Sequence, residues 1–233
     1  MGAQNELVGA KQELVGAKKA KNPNPYAKPA PKKTPWGAII AAVAVALIAG
    51  GIALLGGKNG ETKTEADLTV THRVEIDVRD YGTIKAELYG NLAPVTVNNF
   101  VDLARKGFYD GLTFHRIMSG FMIQGGDPLG NGTGGSGQYI KGEFSANGFD
   151  NPLKHTRGVL SMARSSNPDS ASSQFFIMHQ AAPHLDGRYA AFGMVTEGIE
   201  IVDAICANTP VQDSNGTVLS ADQPVITAIR VVE

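Results

Sequence analysis

Apolar and polar residues alternate strictly in RVEIDV (73–78) and TIKAEL (83–88), with Asp80-Tyr81-Gly82 between them. That pattern predicts a β-hairpin. From Pro94 the period changes. Val97, Phe100, Val101 and Ala104 fall on one helical face, and Gly107 marks the end of the helix. Short apolar runs follow at LTFHRI (112–117), FMIQG (121–125), GVLSMA (158–163), SQFFIM (173–178) and AAFGMV (190–195), each bounded by turn residues. GIEIVDAICA (198–207) reads as a second helix, with Cys206 expected to be buried beside Ile201, Val202 and Ile205. PVITAIRVV (224–232) reads as a closing strand. Many short strands, Gly-rich turns and two helices predict an all-β body, a closed barrel or sandwich with helical covers, and not a parallel βαβ sheet.

Ahead of this body the chain has a different character. WGAIIAAVAVALIAGGIALLGG (36–57) carries no charge over 22 positions. A helix of about 20 apolar residues spans a bilayer core, so this run is expected to be one transmembrane helix, with Trp36 at its interface. It lacks the small-x-small site of a cleaved signal peptide. Residues 1–35 form a polar tail in which ELVGAKQ (6–12) recurs as ELVGAKK (13–19), followed by five prolines in positions 21–35. Seven Lys precede the span and only Lys58 and Lys63 follow it closely. The expected topology is therefore a single-pass membrane protein, with a cytoplasmic N-terminus and an extracytoplasmic body. Residues 58–67 are a polar linker, and 68–233 are the globular domain.

Charge and composition narrow the function. Residues 58–233 carry 14 Lys and Arg against 20 Asp and Glu, a balance that disfavours nucleic acid as a partner. The single cysteine excludes an internal disulfide, and the five His (72, 115, 155, 179, 184) show no metal-ligand spacing, so no metal or other cofactor is expected. PLGNGTGGSGQ (128–138) resembles a phosphate loop only in its glycines, because no Gly-Lys-Ser/Thr ending follows. No sustained heptad calls for a second copy, so a monomer is expected. The densest chemistry lies in FHRIMSGFMIQGGD (114–127), where alternation sets Phe114 with Arg116, His115 with Ile117, Phe121 with Ile123 and Met122 with Gln124. On pattern alone this is a barrel strand with Arg116 in an ion pair, or an Arg presented beside apolar groups for use.

That segment, with GVLSMA (158–163), SSQFFIM (172–178) and LDGRYAAFG (185–193), resembles the cyclophilin-type peptidyl-prolyl isomerases, whose blocks occur in the same order. The resemblance implies an eight-stranded closed antiparallel barrel with two helices and a substrate groove on its outer face. It places the catalytic arginine on Arg116, its neighbouring groove histidine on His115, and the proline pocket on Phe121, Met122, Phe176 and Leu185. Gln124 matches the glutamine that orients the substrate carbonyl. Ala163 and Arg164 match the backbone stretch that pairs with the peptide, and Gln174 faces the groove. His184 and Tyr189 stand where better-known eukaryotic members carry tryptophan and histidine. The tryptophan is associated with cyclosporin contact, so cyclosporin is the implied ligand most affected by this departure. RSSNPDSAS (164–172) replaces a Gly/Asn-rich loop.

The implied reaction suits this inventory. Rotation about a peptide bond meets a barrier of about 18–20 kcal/mol, and no bond is made or broken, so no nucleophile, metal or cofactor is needed. Proton transfer plays no part, which makes His115 a structural group by its chemistry. The expected function is isomerisation of Xaa-Pro bonds, assisting the folding of extracytoplasmic proteins. The rival reading is a binding module that grips proline-containing segments with little turnover.

Overall fold

The predicted hairpin forms where alternation and turn residues agree. In this computed structural model, which describes residues 68–232, β1 (His72–Val78) pairs antiparallel with β2 (Gly82–Leu88), and Val78 stands opposite Gly82. Val74, Ile76 and Val78 bury against Ile84, Ala86 and Leu88. The tail, the apolar run 36–57 and the linker lie outside the described residues. Among the described residues no helix is long and apolar enough to cross a membrane.

Helix α1 (Pro94–Arg105) starts on a proline, whose missing N–H costs nothing in a first turn. It buries the expected face, Val97, Phe100, Val101 and Ala104. Its preceding residue, Ala93, has no side chain able to cap it. The cap comes instead from Glu143, a buried carboxylate whose two oxygens accept from the N–H groups of Val95 (3.0 Å) and Thr96 (2.8 Å). A negative group at this end also meets the positive pole of the helix dipole.

The remaining elements are β3 (Phe114–Met118), β4 (Met122–Gly125), β5 (Val159–Met162), β6 (Phe175–Met178), β7 (Ala191–Glu197), α2 (Ile199–Asn208) and β8 (Ile226–Val232). One eight-stranded antiparallel sheet runs β3-β4-β6-β5-β7-β2-β1-β8 and curls as a half-barrel around the core. Phe100, Tyr109, Phe114, Phe175 and Phe192 interlock there, with ring centroids 5.1–6.2 Å apart. Cys206 packs against this core but is only half-buried.

A closed barrel would lace β3 to β8 along their length, and the structure corrects that expectation. Among the described residues the two edges meet at one bridge, Thr113 opposite Val225, where Phe114 N–H donates to the Pro224 carbonyl (2.9 Å) and Ile226 N–H to that of Leu112 (2.7 Å). Pro224 has no N–H with which to extend the pairing. Beyond it, the edge of β3 is occupied by a loop: Ile117 N–H donates to the Gly216 carbonyl (2.8 Å), and Val218 N–H to that of His115 (3.1 Å).

Strands β4, β5 and β6 are buried on both faces. Ile123, Leu160, Met162, Phe175 and Ile177 point into the main core. Met122, Val159, Phe176 and Met178 point outward into a second apolar cluster with Leu153 and Leu185. Two-sided burial explains why these strands read as unbroken apolar runs while the hairpin alternates. The second cluster is the floor of the candidate site.

Candidate active site

Arg116 reaches the outer face because β3 carries a bulge. Phe114 pairs with Gly125 and Arg116 with Gln124, so His115 is an extra residue with no partner on β4. The bulge puts Phe114 and Ile117 together in the core. This corrects the strict alternation, which set Phe114 with Arg116. Phe121 departs from alternation too, since it sits in the turn before β4 and joins Met122 in the outer cluster instead of Ile123 in the core.

The guanidinium of Arg116 is held on three sides. Its Nε donates to the Asn215 carbonyl (2.8 Å), one terminal nitrogen to Gln124 Oε1 (3.2 Å), and the other lies 3.0 Å from Met118 Sδ. Asn215 is presented by the same loop that covers the β3 edge. Gly216 in that loop adopts φ +79°, and a Cβ there would press into the Ile117 carbonyl, so only glycine fits. Burial pulls the Arg116 pKa below its usual value, while Tyr189 and Asp213 act the other way; an arginine so placed remains charged.

Because Gln124 accepts through Oε1, its Nε2 is directed to Gln174 Oε1 (2.9 Å). Gln174 in turn donates to the carbonyls of Gly132 (3.1 Å) and Gly134 (2.8 Å) in the Gly-rich loop. Each amide orientation is thus set by its neighbours. The loop itself folds around Asp127, a buried carboxylate that accepts from the N–H groups of Leu129 (2.8 Å), Asn131 (3.1 Å) and Gly132 (2.6 Å). Burial alone would raise the Asp127 pKa, but these backbone donors and that of Gly134 hold it below the usual carboxylate value. The N–H groups that a phosphate loop would offer to a ligand are spent on an internal carboxylate.

Arg116, Phe121, Met122, Gln124, Ala163, Arg164, Phe176, His184, Leu185 and Tyr189 all line one cavity of about 430 Å³, and Arg188, which sequence reasoning did not single out, lines it with them. Gln174 lines an adjoining depression of about 580 Å³ that shares Gln124, Ala163 and Arg164. The Phe121 and His184 rings lie 5.7 Å apart, and Tyr189 meets Phe176 edge-on at 6.0 Å. Arg164 folds back to donate to the Arg188 carbonyl (3.1 and 2.9 Å) and covers the rings of Tyr189 and Phe144, clamping two loops together. The Ala163 N–H is taken by the Gln174 carbonyl (3.0 Å).

His115 lines neither cavity. Its ring is buried behind the bulge, where neither nitrogen has a hydrogen-bond partner, and burial lowers its pKa against the pull of Asp127. A second buried imidazole was missed by sequence reasoning. His155 bonds Asp186 through Nδ1 (3.1 Å) and Ser161 through Nε2 (3.0 Å), and stacks on Phe176 at 6.1 Å. The three residues have the order of a hydrolytic triad, yet Ser161 is fully buried, so no substrate reaches its hydroxyl.

Known proteins show where this architecture recurs. The family described as cyclophilin-type peptidyl-prolyl cis-trans isomerase/CLD matches residues 73–231. Peptidyl-prolyl cis-trans isomerase B of Bacillus subtilis is 51% identical over 123 residues, covering 53% of this chain and 82% of the relative. An isomerase of Helicobacter pylori is 48% identical over 126 residues, covering 53% and 74%. A crystal structure of a cyclophilin-type isomerase of Cryptosporidium parvum in the presence of the dipeptide Ala-Pro superposes with a TM-score of 0.61 at 36% identity, covering 69% of this chain and 99% of that one. With this match spanning the sheet, both helices and the cavity around Arg116, the chain belongs to the cyclophilin-type peptidyl-prolyl cis-trans isomerases.

Proposed function

We propose that the cavity around Arg116 takes the prolyl residue of an extended polypeptide and lowers the barrier to rotation of its Xaa-Pro bond without covalent chemistry. The observation that carries this reading is a charged, multiply anchored guanidinium at the edge of a cavity walled by Phe121, Met122, Phe176 and Leu185. The apolar wall holds the pyrrolidine ring and excludes water. As the amide twists, the prolyl nitrogen regains its lone pair and accepts from Arg116, a bond unavailable in either planar state. Such a contact acts selectively on the transition state and is strengthened in a desolvated site. Gln124, oriented by its neighbours, steadies the carbonyl side. The dipeptide present with the Cryptosporidium parvum relative supports a prolyl ligand for this chain as well.

The test follows cis-to-trans exchange of an Ala-Pro-containing peptide with the full chain and with Arg116→Ala. Acceleration by wild type and a loss of about 10²–10³-fold in the variant, the size of one transition-state donor, is the expected result. A folded wild-type chain that binds the peptide but leaves its exchange rate unchanged would mark it as a binding module or holdase.

The placement of this activity follows from the apolar run 36–57 and the lysines before it. We propose a membrane-anchored, monomeric isomerase that acts on proteins folding outside the cytoplasm. Protease added to intact cells is expected to digest the domain, and protection until lysis would overturn this topology. The groove is also proposed to bind cyclosporin, with His184 weakening that contact; a titration comparing His184→Trp with wild type tests it.

A further inference from the structure

We propose that His179 is a positioning residue for the isomerisation: its Nδ1 holds the turn that presents Phe121 to the groove. The inference rests on the groove reading above. His179 follows β6, and its side chain is 13% exposed. Its Nδ1 accepts from the backbone N–H of Gly120 at 2.8 Å, the residue immediately before Phe121. Its Nε2 lies 3.1 Å from Asp203 Oδ1 on α2. An acceptor at Nδ1 requires the ring proton on Nε2, where it points at the carboxylate, so the neutral tautomer satisfies both partners.

Without that acceptor the Gly120 N–H loses this partner. The backbone N–H groups of His179 (2.9 Å) and Gln180 (3.2 Å) still hold the Phe121 carbonyl, and the Phe121 N–H still donates to the Met118 carbonyl (2.9 Å), so the turn stays attached while the Ser119–Gly120 peptide loosens. Gly120 has φ +82°, and a Cβ there would meet nothing within 4 Å.

Charged groups fix the Nε2 side of the ring. Asp203 faces it from α2, and its other oxygen is held by Arg157, from the segment before β5, at 2.7 Å. Arg157 also donates to the His179 carbonyl (2.8 Å).

Two isosteric variants separate the two ring nitrogens. Asparagine places an acceptor where Nδ1 stood. Glutamine places an amide at the Nε2 position and leaves Gly120 without its partner. The full chain, His179→Asn and His179→Gln are compared in peptide exchange, with kcat and KM read separately. His179→Asn is expected to retain most of the wild-type kcat/KM. His179→Gln is expected to fall about three- to tenfold, the worth of one hydrogen bond, with a native circular dichroism spectrum. Equal activity in all three proteins, or equal losses in both variants, would overturn the assignment. Hydrogen exchange at the Gly120 amide reads the same bond without catalysis: it is expected to accelerate in His179→Gln and not in His179→Asn, and equal rates in all three count against His179. Absence of exchange activity in wild type would instead count against the groove reading.

Discussion

Arg116 and Gln124 stand opposite each other across the β3–β4 ladder, and the guanidinium donates to the amide oxygen at 3.2 Å. The charge proposed to act on the prolyl nitrogen and the amide proposed to steady the substrate carbonyl therefore share one hydrogen bond. Lysine at 116 would keep the charge but lose the planar fork that reaches Asn215 and Gln124 together. Arg116→Lys is expected to retain the fold by circular dichroism and to lose at least about tenfold in kcat/KM for peptide exchange. Activity equal to wild type would show that charge alone suffices.

Asp127 organises the loop on which Gln174 rests. In Asp127→Asn one accepting oxygen becomes a donor, and the N–H groups of Asn131 and Gly132 lose their partner. The urea midpoint is expected to fall by the equivalent of about 1–3 kcal/mol. Hydrogen exchange at Asn131 and Gly132 should accelerate, and unchanged exchange there would remove Asp127 from this role. Because its folded pKa is depressed, its contribution is present above the ordinary carboxylate value and is lost as pH falls through the folded one, in strong acid.

The two buried imidazoles set a different pH window. Burial lowers the pKa of His115 and His155, and in His155 the hydrogen bond and charge of Asp186 only partly oppose it. The unfolded chain then binds more protons than the folded one below about pH 6.5. Stability is expected to be full above that value and to decline as pH drops through the folded pKa values. Urea unfolding at about pH 7.5 and about pH 5 should show a lower midpoint in acid, and equal midpoints would contradict neutral burial.

Cys206 is half-buried, and burial pushes its thiol up to about 11. Thiolate is the reactive form, so labelling by a thiol reagent at neutral pH is expected to be slow in the native chain and complete on denaturation. Rapid native labelling would mean that α2 opens readily.

Local pattern carried the hairpin, both helices and the closing strand, because each follows from periodicity and turn residues within a dozen positions. Resemblance, not periodicity, singled out Arg116, Gln124 and the apolar wall. Alternation misled at Phe114 and Phe121, since a bulge and a turn look in sequence like continuous strand. Closure misled for another reason: Pro224 and the loop through Gly216 compete for the β3 edge from a hundred residues away. Asp127, Glu143, His155 and His179 escaped notice because their partners are backbone groups or distant side chains, which leave no local signature.

The cap on α1 has a consequence for the order of assembly. Val95 and Thr96 are satisfied by a carboxylate 48 and 47 residues further along the chain, respectively. A ribosome releases the helix well before its cap, so the nascent helix has a frayed start until the segment carrying Glu143 docks. Pulse-labelled hydrogen exchange during refolding should find the first turn of α1 gaining protection together with that later segment. Protection of α1 ahead of it would show that the helix matures alone.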